Sequence, residues 1–259
     1  MPFSIDHIVI AVTDLEQATR DYEALGFTVL KGGEHPRGSR NALVVLQDGA
    51  YLEIIAFSRP DPDFRWFRVL EAAGPGFVDY ALLPNDFEAD VARTRAAGIE
   101  IAAPIDGARL RPDGVRIAWT SARPPEPDIP FFVSDVTPRV LRVPDGEALR
   151  HANGVTGIAG VTVAVRDLAA STARYRALLG SEPLAVGGVS GLGFGLVQFR
   201  VGHQVLSLAQ PQGEGAPALS RHLETRGQGI FALSFLGPRP AVLDPALTHR
   251  APLAIVAAA

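Results

Sequence analysis

The sequence predicts an α+β protein built of tandem β-α-β-β-β units, and three observations lead there. Residues 6–15, DHIVIAVTDL, form a β-branched apolar run (Ile8, Val9, Ile10 and Val12) that ends at Asp14, where a helical pattern begins. Related stretches recur as GFVDYALLPNDF at 76–87 and GIAGVTVAVRDL at 157–168. The internal spacings recur too. Asp14-Leu15 and Tyr22 are matched by Asp167-Leu168 and Tyr175, Leu25 by Leu178, Gly32-Gly33 by Gly187-Gly188, and Asp48-Gly49 by Val201-Gly202. Self-similarity of this kind marks a repeated supersecondary unit.

The elements follow in order. Residues 14–25 read as a helix, with Asp14 as N-cap and Gln17 three residues on, Leu15, Ala18, Tyr22 and Leu25 on one face, and Gly26 at the end. A strand at 27–30, a Gly-containing loop at 32–39 and two strands at 41–47 and 51–57, joined by Asp48-Gly49, complete the first unit. The second unit has a strand at 77–83 and a helix at 85–97 capped by Asn85. Its further strands fall near 99–102, 115–120 and 130–134, the last preceded by a proline-rich loop. Residues 137–156, with Pro138, Pro144 and Asp145-Gly146, read as a connector. Residues 157–259 hold a third unit and a degenerate partial fourth beginning at 229–236, whereas residues 1–136 hold the first two units.

Composition narrows the chemistry. With 259 residues, 47% hydrophobic and 20% charged, the chain is an ordinary globular protein with ample core. A formal charge of −4 gives no reason to expect nucleic acid or an anionic membrane as partner. No run of 18 apolar residues and no signal-peptide pattern occurs, so a cytoplasmic protein is expected. The absence of cysteine excludes disulfides, thiolate metal sites, iron–sulfur clusters and thiol nucleophiles. Lys31 is the only lysine, and no G-x-S-x-G, Walker A or H-E-x-x-H motif is present. Histidines, carboxylates, arginines and any metal they hold remain. The Gly191-Leu192-Gly193-Phe194-Gly195 stretch leads into a strand rather than a helix, so it reads as a hairpin and not as a dinucleotide fingerprint.

DHIVIAVTDL, the helix end Ala24-Leu25-Gly26-Phe27, GGEHPRGSRN at 32–41, YLEIIAF at 51–57 and RLRPDGVRIAW at 109–119 together resemble the vicinal oxygen chelate superfamily. The likeness is to its glyoxalase-like members, and the superfamily also takes in bleomycin-resistance proteins and extradiol dioxygenases. The resemblance implies curved mixed sheets, a cleft between paired units, and a metal held by the first and last strands of each unit. His7 takes the first-strand position and Glu53 the last, and both are sound ligands for divalent Zn, Mn, Fe or Ni. Asp79 lies seven residues before Asp86, as His7 does before Asp14, which makes it the candidate third ligand or else a hydrogen-bonded strand residue. Phe131, Phe132 and Val133 stand where a second glutamate is wanted, and Gly160 and Leu206 hold the third unit's positions, so the ligand set is incomplete.

Further candidates surround that pair. Glu53 is also a candidate general base, and His35 an acid–base group or an exposed loop histidine. Asn41, Tyr51, Arg109, Arg111 and Trp119 are candidate substrate contacts, the arginines for an anionic end and the indole for a flat or cationic one. The alternative for the 109–119 segment is a charged hairpin with one core tryptophan. The resemblance implies metal-assisted chemistry (isomerase, lyase or dioxygenase-related) on a small oxygenated molecule. The alternative is a non-catalytic binding protein of the bleomycin-resistance type that grips its ligand with Tyr51, Trp119 and Phe131-Phe132. Units of this kind pair within one chain or between two, which leaves a homodimer open.

Overall fold

The computed structural model describes residues 3–189 and 193–257. Its first half runs β1 (Phe3–Ala11), α1 (Leu15–Ala24), β2 (Leu30–Glu34), β3 (Ser39–Val45), β4 (Tyr51–Phe57) and α2 (Arg65–Ala73). It continues through β5 (Gly76–Pro84), α3 (Phe87–Ala96), β6 (Ile105–Leu110), β7 (Arg116–Ala122) and β8 (Phe131–Asp135). These strands close into a barrel in the order β1-β4-β3-β2-β6-β7-β8-β5. A short helix, α4 (Arg139–Arg142), and a 3-10 turn at Gly146–Leu149 lead to the second half. There follow β9 (Gly157–Ala164), α5 (Leu168–Leu179), β10 (Ala185–Val189), β11 (Phe194–Val201), β12 (Gln204–Pro211), α6 (Pro217–Thr225), β13 (Gly229–Leu236), β14 (Ala241–Val242) and β15 (Leu253–Val256). They form a seven-stranded sheet in the order β10-β11-β12-β9-β13-β15-β14.

The repeat is visible in the pairing. The first and last strands of a unit lie side by side and parallel: β1 with β4, β5 with β8, and β9 with β12. β13 and β15 repeat this arrangement without an intervening helix. Helices start where local chemistry says they should. Asp14, Asp86 and Asp167 each cap a helix by accepting the amide of the residue three positions on, at 2.9, 3.1 and 2.9 Å. The cap of α3 is thus Asp86 and not its neighbour Asn85. One outward row of β1, Ile8 and Ile10, joins Val161, Val163 and Phe235 of the second sheet in a single core. Among the described residues no helix is long and apolar enough to cross a membrane.

Three strand expectations change. β2 lies at Leu30–Glu34, so Gly32 and Gly33 belong to a strand instead of a loop. Residues 99–102 form no strand: Ile99 and Ile101 are buried side chains, and the Ile101 and Ala102 carbonyls accept from the Arg95 guanidinium at 3.0 and 2.9 Å in place of a ladder. β6 follows at Ile105–Leu110. The Gly191-containing stretch lies partly outside the described residues, and its end enters β11.

The barrel closes at a narrow seam. β2 and β6 share one register pair, Glu34 with Leu110, and the Arg109 guanidinium donates to the Gly32 carbonyl across the same line. Gly33 has φ +144°, and a Cβ there would stand 1.9 Å from the Leu110 carbonyl oxygen. Gly33→Ala is therefore expected to lower unfolding stability by about 1–3 kcal/mol through backbone strain and loss of the seam. A urea titration checks it; an unchanged midpoint would show that closure tolerates a side chain there.

Candidate functional site

The site begins with a bulge. Between Ile5 and His7, β1 carries an extra residue relative to β5, since Ile5 pairs with Leu82 and His7 with Ala81. The extra residue is Asp6. Alternation would send neighbours to opposite faces, but a bulge re-aims one of them. The buried Asp6 carboxylate consequently accepts from Nδ1 of the next residue, His7, at 2.6 Å. A carboxylate only accepts, so Nδ1 carries a proton, and Nε2 is the nitrogen turned toward Glu53. That Nε2 stands 3.6 Å from Glu53 Oε2. The ring stacks on Tyr51 at 4.8 Å and meets the edge of Phe131 at 5.4 Å.

Asp6 is held by two arginines from the connector. Arg142 donates to Oδ1 at 2.7 Å and to Oδ2 at 3.0 Å, and Arg139 to Oδ2 at 2.6 Å; both also bond Asp135. Burial alone would raise the Asp6 pKa, but the Arg142 charge and the hydrogen bonds from His7 and Arg142 hold it well below the ordinary carboxylate range. Arg142 also donates to the Tyr51 hydroxyl at 2.9 Å, which ties the base of the site together.

Glu53 sits on β4, opposite Val9 of β1 and Leu43 of β3. Its Oε1 accepts from Asn41 Nδ2 at 2.6 Å and lies 3.8 Å from His35 Nε2. The other Asn41 amide atom, Oδ1, is buried without a partner, in space that exists because Gly32 has no side chain: a Cβ there would lie 2.0 Å from Oδ1. His35 points Nδ1 at the Ser39 carbonyl, 3.3 Å away, and its ring meets the edge of Trp119 at 5.9 Å. Burial pushes the His35 pKa down against the pull of Glu53. The loop histidine is thus a half-buried wall of the site.

The remaining candidates separate. Arg109 is buried, burial lowers its pKa, and among the described residues no carboxylate comes within ion-pair distance of it. Tyr51, Trp119 and Arg109 line a cavity of about 570 Å³ together with His7, His35 and Glu53. Arg111 is not brought to it; its guanidinium reaches the Leu141 carbonyl at 3.1 Å and Asp113 at 2.9 Å outside the barrel. Asp79 is on the inward row, but its oxygens accept from Trp66 Nε1 at 2.8 Å, Tyr80 N at 2.9 Å, Arg65 at 3.4 Å and Arg123. Phe131 pairs with Ala81 as Glu53 pairs with Val9, and it offers no donor.

A Zn-type site takes three or more protein donors facing one point. Among the described residues no group of three or more His, Asp or Glu side chains is so arranged. His7 and His35 approach different oxygens of Glu53, at 3.6 and 3.8 Å, and Asp79, the expected third ligand, is saturated by its own donors. The residues present do not fit a Zn, Mn, Fe or Ni ion held at the first and last strands of both units.

Sequence reasoning missed Asp6, Arg142, Arg123 and Trp66. Asp6 had one signal, its position next to His7, but strand parity argued against contact. The acid network carries a stability signature. Since the folded-state pKa of Asp6 is depressed, its contribution is complete above the unfolded value near 3.9, declines below it, and is gone once pH passes the folded value. Asp6→Asn is expected to cost about 3–5 kcal/mol at pH 7 by leaving Arg142 buried with one partner fewer. The deficit against wild type should shrink below pH ~4, where the wild-type carboxylate protonates. Denaturant midpoints measured from pH 7 to pH 3 test this; a deficit independent of pH would refute the ion-pair account.

Comparison with known proteins accords with this architecture. A crystal structure of a hypothetical protein from Staphylococcus aureus superposes with a TM-score of 0.74 at 13% identity, covering 99% of this chain and 100% of that one. A triple mutant of 4-hydroxymandelate synthase from Streptomyces coelicolor gives 0.65 at 18% identity, covering 92% and 72%. A xylose isomerase-like TIM barrel/4-hydroxyphenylpyruvate dioxygenase fusion protein gives 0.56 at 17% identity, covering 91% of this chain and 37% of that one. At such identities the likeness concerns the fold. No curated protein sequence matches the chain. The family described as glyoxalase-like domain matches residues 5–179, well over half of the chain. The chain belongs to the glyoxalase-like domain family and, with it, to the vicinal oxygen chelate superfamily.

Proposed function

We propose that the barrel cavity is the active site of an isomerase- or lyase-type enzyme for a small oxygenated anion, with Glu53 as general base. The observation that carries this reading is the setting of Glu53. It is a buried carboxylate on the cavity wall, fixed by Asn41 at 2.6 Å, with two imidazole Nε2 atoms at 3.6 and 3.8 Å and, among the described residues, no arginine or lysine within ion-pair distance. A base so placed takes a proton from a carbon beside a carbonyl, and His7 or His35 relays it to the neighbouring position. For an isomerase the net reaction is a proton shift that consumes no co-reactant; for a lyase the same abstraction breaks the bond to a leaving group on the next carbon, which departs with the proton. Arg109, buried without a counter-ion, holds the carboxylate or other anionic end of the substrate. Superfamily members typically use a divalent metal to stabilise the charge that develops. The donors in this cavity do not assemble one, so proton transfer falls to Glu53 and the histidines.

The aromatic lining of Trp66, Trp119 and Phe131 also favours a second reading, a sequestering protein that binds without turnover. The two separate in one series. Small 2-oxo and vicinal-oxygen compounds are screened for binding by calorimetry and for turnover by NMR. On the enzyme reading Glu53→Gln lowers turnover by about 10²-fold or more and leaves affinity within a few-fold. Arg109→Gln should weaken anionic ligands at least ~10-fold. Binding of the compounds with no turnover by wild type would select the sequestering reading, and turnover undiminished in Glu53→Gln would remove Glu53 from the mechanism.

A further inference from the structure

The two halves of the barrel are related by an exchange of β1 with β5. The register makes the exchange explicit: Val9 faces Asp79 and His7 faces Ala81 across the antiparallel pair. Swapping the strands carries His7 onto Asp79 and Val9 onto Ala81. The parallel partners follow, since Val9 pairs with Glu53 and Ala81 with Phe131. Asp79 and Phe131 are therefore the counterparts of the candidate base pair.

Both counterparts touch the same guanidinium. Arg123, one residue beyond the end of β7, donates to the Asp79 carboxylate, and its Cζ lies 4.4 Å over the Phe131 ring and 5.6 Å from the Trp66 ring. The side chain keeps 32% of its surface accessible and lines the cavity. Among the described residues its guanidinium makes no hydrogen bond except that to Asp79, which leaves most of its five donors free. Asp79 is shared with Arg65 at 3.4 Å, so two guanidinium groups meet one carboxylate and the cluster keeps one net positive charge. Aromatic faces on two sides strip water from the cation and fix its plane, which strengthens its pull on an anion.

We infer that Arg123 is an oxyanion-binding residue, a fixed cation seated on Asp79 and Phe131 at the positions that mirror His7 and Glu53. With Arg109 it makes a cavity with two separate guanidinium groups, one unpaired and one in excess. The ligand class it fits carries a carboxylate and a second oxyanion, or an oxygen that becomes one: a 2-oxo acid or a small dicarboxylate. The inference rests on the reading of the cavity as the substrate site. It goes further in assigning the second half of the barrel the anionic half of the ligand.

The test is calorimetric titration with malonate, a dianion, and acetate, a monoanion, into wild type, Arg109→Gln, Arg123→Gln and Arg123→Lys, all in EDTA. Malonate is expected to bind wild type in the presence of EDTA, to weaken at least tenfold in Arg123→Gln, and to recover in part in Arg123→Lys. Acetate, held by Arg109, should change less than threefold in Arg123→Gln. Because Arg123→Gln leaves Asp79 with fewer partners, Asp79→Asn/Arg123→Gln serves as a second variant with the same expected loss and a neutral residue 79. Loss of malonate binding in Arg109→Gln with none in either Arg123 variant would overturn the assignment of Arg123 while leaving the cavity reading intact. Malonate binding indifferent to all variants would overturn both. Stoichiometric metal in wild type, lost in His7→Ala, would also overturn it, since the cavity would then carry a different cation.

Discussion

A closed barrel can carry charge inside only if almost every charge is paired, because an isolated ion taken from water costs several kcal/mol. That constraint organises this molecule. Asp6 is matched by Arg139 and Arg142, and Asp79 by Arg65 and Arg123. Three of those four arginines come from outside the repeating β-α-β-β-β pattern, Arg139 and Arg142 from α4 in the connector and Arg65 from α2 in the crossing between units, while Arg123 follows β7. Arg142 is nearly inaccessible and bonds Asp6, Asp135 and the Tyr51 hydroxyl, so the connector is part of the site's foundation. Against that background of satisfied pairs, two groups of the cavity wall differ: among the described residues Glu53 has no arginine or lysine, and Arg109 no carboxylate, within ion-pair distance.

The repeat duplicates backbone positions but fills them unequally. His7 and Glu53 face the cavity from the first half, Asp79 and Phe131 hold a cation in the second. The third copy is empty for a steric reason. Gly160 occupies the position of His7, and a Cβ added there would come 2.7 Å from the Val205 carbonyl oxygen. No ligating side chain fits without moving the neighbouring strand. The second sheet contributes instead through its other face, where Val161, Val163 and Phe235 pack with Ile8 and Ile10 and brace the strand that carries His7.

What the sequence made legible is what local chemistry determines. Asp14 and Asp167 were readable as caps because capping involves a residue and an amide three positions away, and the Tyr22 and Tyr175 offsets were readable because helices repeat their faces. β2 and β6 were not, because their strand character comes from each other and from their neighbours. Gly32, Gly33 and Gly107 look like loop residues until the Asn41 side chain, the Leu110 carbonyl and the Trp119 indole are seen to fill the space where their side chains would be. The same distinction divides the site. Counting back from a helix cap located Asp79 on the inward row. Its partners, Trp66, Arg65 and Arg123, come from segments 13, 14 and 44 residues away, and no periodicity in the sequence announces them. Asp6 was hidden by a single bulge that reverses the rule of alternation.

The two halves of the cavity also differ in what they offer a ligand. His7 Nδ1 donates to the Asp6 carboxylate and His35 Nδ1 lies against Ser39, so both rings turn Nε2 toward Glu53. Those nitrogens face the carboxylate at 3.6 and 3.8 Å, and Asn41 donates to the same group, so the array centres on an acceptor. Such an array favours groups that bring hydrogen, hydroxyls or acidic C–H bonds. The Arg109 and Arg123 guanidinium groups favour the reverse, negative oxygen. On the proposed reading, a ligand with an acidic hydrogen at one end and oxyanions at the other is oriented before any reaction begins, with its hydrogen on Glu53 and its developing charge on arginine.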